Sequence, residues 1–318
     1  MIHRFQYSIT KSNAGKTIEQ FLLSLGYSRR LIIDLKKTPA GLTVDGRHAY
    51  VTHRLEEGET MVAELPAEIP SEHIVPTAMR LDIIYEDEHI LIINKAADTP
   101  IHPSQGNFSN TLANGVACYF REKGEPFVYR VINRLDRDTT GLLILAKHAL
   151  SACILSAMVR DRQIHRTYLA AVEGDIRNLF PPHANQGQLP PGFAYTDIKQ
   201  YSAEIKAPIA RVNGSTIERR VDPENGEYAC TGFTVLGYHH KTGTSLIRLC
   251  LETGRTHQIR VHMKHLGYPL HGDFLYNPDY RLIGRQSLHS WKLEFNHPIT
   301  KEPLAFTAAV PEDMSVFL

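Results

Sequence analysis

Apolar positions recur along the chain in two periods, three to four residues and two, and the changes between them divide it into elements. From Asn13 to Leu65 comes a small unit. Ile18, Phe21, Leu22 and Leu25, at spacings of three and four, predict a helix that Gly26 ends. Ser28 is a good cap for a second helix, whose apolar Leu31, Ile32 and Leu35 leave Arg29, Arg30, Lys36 and Lys37 outward. Gly41 to Arg47, with Asp45-Gly46 at its turn, is a hairpin signal, and a strand ends near Leu65. Pro66, Pro70 and Pro76 among acidic and small residues suit a linker reaching to about Met79.

A second region follows. Leu81 to Tyr85 and Ile90 to Asn94 predict strands around the turn Glu86-Asp87-Glu88. Leu112, Val116 and Phe120 define a helix from about 110 to 122, and Ile154, Leu155 and Met158 face inward from another over 149–159. Between them, Leu142-Leu143-Ile144-Leu145-Ala146 predicts a buried strand entered from the tight turn Arg134-Leu135-Asp136-Arg137-Asp138-Thr139-Thr140-Gly141, with Asp136 just outside its start. Residues 166–174, 231–237 and 245–252 read as further strands, and a last one falls near 305–310. Residues 175–228, rich in Pro, Gly and polar residues, form a long excursion of the kind that is functional or mobile. Thr256 is placed to cap a helix with Ile259, Met263 and Leu266 buried and Gly267 at its end.

Composition narrows the class. With 318 residues, 42% of them apolar, the chain holds two domains, or one with an appendage. Its four cysteines, Cys118, Cys153, Cys230 and Cys250, have neither disulfide-framework nor zinc-knuckle spacing, which fits a reducing cytosol. No apolar run approaches the roughly 20 residues of a membrane span, so a soluble, cytoplasmic protein is expected. The net charge of +1 does not advertise nucleic-acid binding; local clusters have to carry it. From Ser28 to Arg54, Arg29, Arg30, Lys36, Lys37, Arg47 and Arg54 face only Asp34 and Asp45, a cluster that would neutralise phosphates or form a solvated basic face. From Thr253 to Gly272 there is no acid at all, and Arg255, Arg260 and Lys264 share the stretch with four histidines. His257, His262 and His265 invite a zinc reading, but the Glu of a zincin motif is missing.

On residues alone, the octet around Asp136 also reads as ordinary Asp and Thr turn chemistry. Asn133-Arg134-Leu135-Asp136, then Thr139-Thr140-Gly141, resembles the signature of the RluA-type pseudouridine synthases, with Asn133 in a His position and Thr140 in a Ser position. Asn94-Lys95, followed by His102-Pro103, is similar to that family's opening stretch, where Ala96 and Asp98 stand for Pro and Gly. Arg166-Thr167-Tyr168 resembles its Lys-x-Tyr strand. Gly254-Arg255-Thr256-His257-Gln258-Ile259-Arg260-Val261-His262, then Gly267-Tyr268-Pro269 and Gly272-Asp273, is similar to its third motif. The N-terminal order of elements resembles a small RNA-binding module of the S-four type.

The resemblance implies an α+β fold: a pseudouridine synthase catalytic domain over 76–318 with a mixed, largely antiparallel sheet, preceded by a small S-four-like RNA-binding domain and linker over 1–75. It implies an isomerase that needs no metal or nucleotide cofactor and takes RNA as its partner, acting as a monomer. Large-subunit ribosomal RNA is the first substrate reading, transfer RNA the alternative, and a non-catalytic RNA-binding assembly factor the rival. By motif position Asp136 is the catalytic carboxylate, kept charged by Arg260, with Tyr168 stacking on the target base. Arg134 fills the gap of the flipped uridine. Arg255 meets a phosphate, and His257, Gln258, Lys95, Arg29, Arg30, Lys36 and Lys37 complete the expected RNA contacts.

Overall fold

The computed structural model describes residues 3–184 and 189–318, so residues 185–188 of the expected excursion lie outside the described residues. The first elements are β1 (Arg4–Ser8), α1 (Ile18–Ser24), α2 (Arg29–Lys37), β2 (Leu42–Val44), β3 (Arg47–His48) and β4 (Thr60–Glu64). Then come β5 (Asp82–Glu86), β6 (Ile90–Lys95), α3 (Leu112–Glu122), β7 (Thr140–Ala146), α4 (Ala149–Arg160), β8 (His165–Glu173), β9 (Phe193–Asp197) and β10 (Ser202–Lys206). They are followed by β11 (Ile209–Arg211), β12 (Arg219–Val221), β13 (Cys230–His239), β14 (Thr244–Leu251), α5 (Gln258–His265), β15 (Leu288–Asn296) and β16 (Pro303–Thr307).

The first six elements make a unit of their own, an antiparallel sheet in the order β1-β4-β2-β3 with two helices. A capping box of Thr17 and Gln20 starts α1, and the Ser28 hydroxyl accepts from the Leu31 amide at 3.1 Å to start α2. The periodic stripe of α2 does what its spacing predicts: Leu31, Ile32 and Leu35 are buried, while Arg29, Arg30, Lys36 and Lys37 are exposed.

The main sheet runs β5-β6-β7-β15-β8-β14-β13-β10-β9, with β16 on β15, and among the described residues only β7 and β15 pair in parallel. Strands β6 and β7 read as continuous apolar runs because both of their faces are covered. Ile90, Ile92, Leu142, Ile144 and Ala146 join one core cluster with α4. Leu91, Ile93, Leu143 and Leu145 join the other with α3 and α5. The 175–228 excursion is partly sheet: β9 and β10 extend the edge, and β11 and β12 form a separate hairpin.

The N-terminal unit shares the first core cluster with α4. Phe21, Leu22 and Leu31 lie in one apolar mass with Ile154, Leu155 and Met158. The approach is close, since a Cβ on Gly26 would stand 2.8 Å from the Ile154 Cγ1, and the Cys153 thiol donates to the Ser28 hydroxyl at 3.3 Å. The proline-bearing segment has no regular structure, yet it is strapped down. Glu68 pairs with Arg130 at 2.7 Å, and the Asn114 side chain donates to the Val75 carbonyl at 2.8 Å.

Candidate active site

The turn bearing Asp136 is fixed from three sides, and the two departures from the signature do part of the fixing. Asn133, 2% exposed, uses its amide Oδ1 to accept from the Ile144 amide at 2.8 Å, clamping the turn to β7. Thr140 Oγ1 hydrogen-bonds His289 Nδ1 at 2.8 Å and so ties the same strand to β15. Gly141 has φ +108°, and a Cβ there would sit 2.2 Å from the Ser290 carbonyl oxygen, so the β7–β15 junction demands glycine. Asp98, in a position where the family carries glycine, has φ +51°, a left-handed conformation that aspartate tolerates.

Lys95 is 1% exposed and donates to the carbonyls of Ala96 and Arg137, both at 2.7 Å. Burial pushes its ammonium down to about 7, while Asp138 and Asp136 pull the other way. This lysine does not line the cleft; it braces the Asp136 turn from beneath, so the expected substrate contact is replaced by a structural one.

Helix α5 brings the partner from across the chain. Arg260 Nη1 donates to Asp136 Oδ2 at 2.9 Å. Its other edge is held by Asp273, Nε to Oδ2 at 2.6 Å and Nη2 to Oδ1 at 2.7 Å, with Asp273 wholly buried. Burial would lower the arginine's pKa, but the Asp273 hydrogen bonds and the two carboxylate charges more than offset it and hold it above the ordinary value. The guanidinium also stacks on Tyr276, 5.1 Å from the ring centre.

The helix starts differently from expectation. Its N-cap is His257, in a left-handed conformation at φ +58° without a side-chain cap, and Thr256 precedes it. The Gln258 side chain reaches back to the preceding turn, its Oε1 accepting from the Arg255 amide at 3.0 Å and from the Thr253 hydroxyl at 2.7 Å. His257 Nε2 lies 4.0 Å from Asp136 Oδ2, and its Nδ1 meets the Tyr276 hydroxyl at 3.1 Å. Burial lowers the His257 pKa against the pull of Asp136. His262 is locked between Thr231 Oγ1 and the Ala207 carbonyl, and among the described residues no group of three or more His, Cys, Asp or Glu is placed to hold a metal.

Asp136, His257, Gln258 and Arg260 wall a cleft of about 770 Å³, together with Arg134, Tyr168 and Arg255. Tyr168 is 3% exposed, and burial raises its phenol pKa, with the Arg166 charge acting in the opposite direction. Arg134 is exposed, whereas Arg255 is engaged by Glu227 and by the Tyr228 carbonyl. Asp136, Tyr168, Arg260, Arg134, Arg255, His257 and Gln258 therefore converge, while Arg29, Arg30, Lys36 and Lys37 stand apart on the N-terminal unit. Two residues that sequence reasoning gave no role, Asp273 and Tyr276, hold Arg260 and His257 in place. Gly272-Asp273 stood inside the third motif, but spacing does not reveal that the aspartate folds back onto α5.

A carboxylate bound to a guanidinium beside a buried tyrosine, in a cleft lined with arginines, suits attack on or proton removal from a nucleotide. A family model described as RNA pseudouridylate synthase matches residues 89–265. The chain is 38% identical over 299 residues to the RNA pseudouridine synthase YjbO of Bacillus subtilis, covering 94% of this chain and 97% of that protein. It is 32% identical over 327 residues to ribosomal large subunit pseudouridine synthase D of Xanthomonas campestris, covering 97% and 90%. The fold matches human RNA pseudouridylate synthase domain containing 1 with a TM-score of 0.57 at 23% identity, over 75% of this chain and 87% of that one. The matched region holds Asp136, Tyr168 and Arg260, and the chain belongs to the RluA-type family of RNA pseudouridine synthases, isomerases that act on RNA.

Proposed function

We propose that this enzyme converts particular uridines of large-subunit ribosomal RNA to pseudouridine in the cytoplasm, with Asp136 as its catalytic carboxylate. The observation that carries the reading is the 2.9 Å contact between Asp136 and Arg260 at the wall of the cleft. A carboxylate enclosed under a base is driven toward its neutral form unless a cation accompanies it. Arg260 supplies that cation and is itself anchored by Asp273. Asp136 then attacks the uridine as a nucleophile or removes the ribose proton on the way to a glycal. In either route the bond from carbon 1′ to nitrogen 1 breaks, a bond to carbon 5 forms, and the carbon 5 proton is lost while nitrogen 1 gains one. Tyr168 stacks on the base, and Arg134 fills the vacated position in the RNA stack.

Residues 1–75 serve in this reading as an S-four-like RNA-binding domain, supported by the exposed cations of α2 with Arg47 and Arg54. Ribosomal RNA is favoured over transfer RNA because a relative at 32% identity bears the name of a ribosomal large subunit enzyme.

The test is pseudouridine mapping of large-subunit ribosomal RNA and of transfer RNA from cells lacking the gene, repeated with wild type and Asp136→Asn restored. Missing ribosomal sites that wild type restores and Asp136→Asn does not are the expected outcome, with a loss of about 10³-fold or more in turnover of transcribed RNA. Missing sites confined to transfer RNA would move the substrate. Full activity of Asp136→Asn would leave only an RNA-binding role for this turn.

A further inference from the structure

Six arginines line the cleft, and five of them have an evident disposition. Arg160 pairs with Asp161, Arg162 with Glu252, Arg255 with Glu227, and Arg260 with Asp136 and Asp273. Arg134 is exposed to solvent. Arg166 is different. It is half-buried in strand β8, forms no ion pair among the described residues, and its Nε is buried with no hydrogen-bond partner.

A buried guanidinium N–H without an acceptor costs free energy, and a chain keeps such a group where a ligand completes it. The surroundings of Arg166 fit a ligand on the reacting side. Alternation along β8 puts Arg166 and Tyr168 on one face, and both line the cleft. Opposite stands Gly254, where a Cβ would only touch the guanidinium, 3.4 Å from Nη1 and 3.7 Å from Nη2.

We propose that Arg166 is a substrate-binding residue that grips a backbone phosphate flanking the target uridine and so sets how deeply the nucleotide enters over Tyr168. The planar guanidinium fork matches a phosphodiester's oxygens, and RNA carries such an anion on each side of any flipped nucleotide. With Arg255 and Arg162 already occupied by glutamates, Arg166 is the inner cation ready to receive one without first breaking a protein ion pair. The assignment rests on the reading of the cleft as a uridine site, and it adds the group that positions the strand.

The test compares the full-length wild type with Arg166→Gln and Arg166→Lys. Affinity for a single-stranded oligouridylate is measured over a series of KCl concentrations, alongside thermal unfolding. Removing one cation from the phosphates is expected to weaken Arg166→Gln binding about tenfold and to flatten the slope of log affinity against log salt by about 0.7, while Arg166→Lys keeps the slope. Because Arg166 forms no ion pair among the described residues and its Nε has no hydrogen-bond partner, Arg166→Gln should melt close to the wild-type temperature. An unchanged salt slope in Arg166→Gln would overturn the proposal, pointing to an interaction with the uracil edge. A marked fall in melting temperature would also overturn it, since Arg166 would then be a structural residue. Turnover of transcribed ribosomal RNA by wild type is scored separately, so failure of the substrate reading is distinguishable from failure of this one.

Discussion

Arg260 and Asp273 meet edge to edge, Nε and Nη2 of the arginine donating to the two oxygens of the carboxylate at 2.6 and 2.7 Å. That grip fixes the plane of the guanidinium and leaves Nη1 turned toward Asp136. Asp273 also accepts from the Leu275 and Tyr276 amides, so the loop after α5 is built around the same carboxylate. The Asp136–Arg260 pair is thus the outer half of a three-residue chain whose inner half is buried.

Replacing Asp273 with Asn tests that three-residue chain. Removing the Asp273 charge leaves the buried Arg260 with Asp136 as its one carboxylate partner, which costs up to about 3–5 kcal/mol of stability. Chemical denaturation should show a loss of that size. Among molecules that remain folded, kcat should fall while KM for RNA changes little, because the arginine is no longer aimed at Asp136. A rise in KM with kcat preserved would mean that Asp273 shapes the RNA-binding surface instead.

How far the sequence could be read depended on whether an element's role was local. The Asp136 turn, the apolar β7 and the stripe of α2 follow from neighbours in the chain, and they appear where their patterns put them. Strand β15 was hidden, because its buried His289 and Ser290 look polar in sequence and meet Thr140 and the Leu142 carbonyl, about 150 residues away. The same holds for Lys95, whose buried partners are two backbone carbonyls that no side-chain pattern encodes. Thr256 fails as a cap because a left-handed His257 stands between it and the helix, which starts without a side-chain cap.

Stability should decline in mild acid, and His148 is a main reason. It is fully buried at the start of α4, where Nδ1 accepts from the Ser151 amide and Nε2 approaches His89 Nδ1 at 3.0 Å. Burial, reinforced by the charges of His3 and His89, lowers its pKa to about 2 from an ordinary 6.5. The unfolded chain therefore takes up a proton that the folded chain refuses. The contribution is intact above about pH 6.5 and declines as pH falls below it, at up to about 1.4 kcal/mol per pH unit. His148→Asn keeps a capping side chain without the titration, so its melting temperature should depend less steeply on pH between about 7 and 5. Parallel pH curves for the two proteins would assign the acid sensitivity to other buried histidines, such as His262 and His289.

The N-terminal unit calls for point changes in place of deletion. Gly26 lies against Ile154, and Phe21, Leu22 and Leu31 complete the core that covers α4. Removing residues 1–75 would uncover that apolar face, and the remainder should aggregate whatever the unit binds. Exposed cations on α2 can be changed without touching the core, since Leu31, Ile32 and Leu35 carry the packing. Replacing Arg29, Lys36 and Lys37 together with Gln should leave the melting temperature within a few degrees of wild type. It should weaken RNA binding and lower the salt slope by about 0.9 for each phosphate left without its cation on duplex-like RNA. Chemistry on a short single-stranded substrate that reaches only the cleft should be unaffected. If the triple variant binds ribosomal RNA with the wild-type slope, the basic face of α2 is a solvated surface and the RNA is held by the cleft alone.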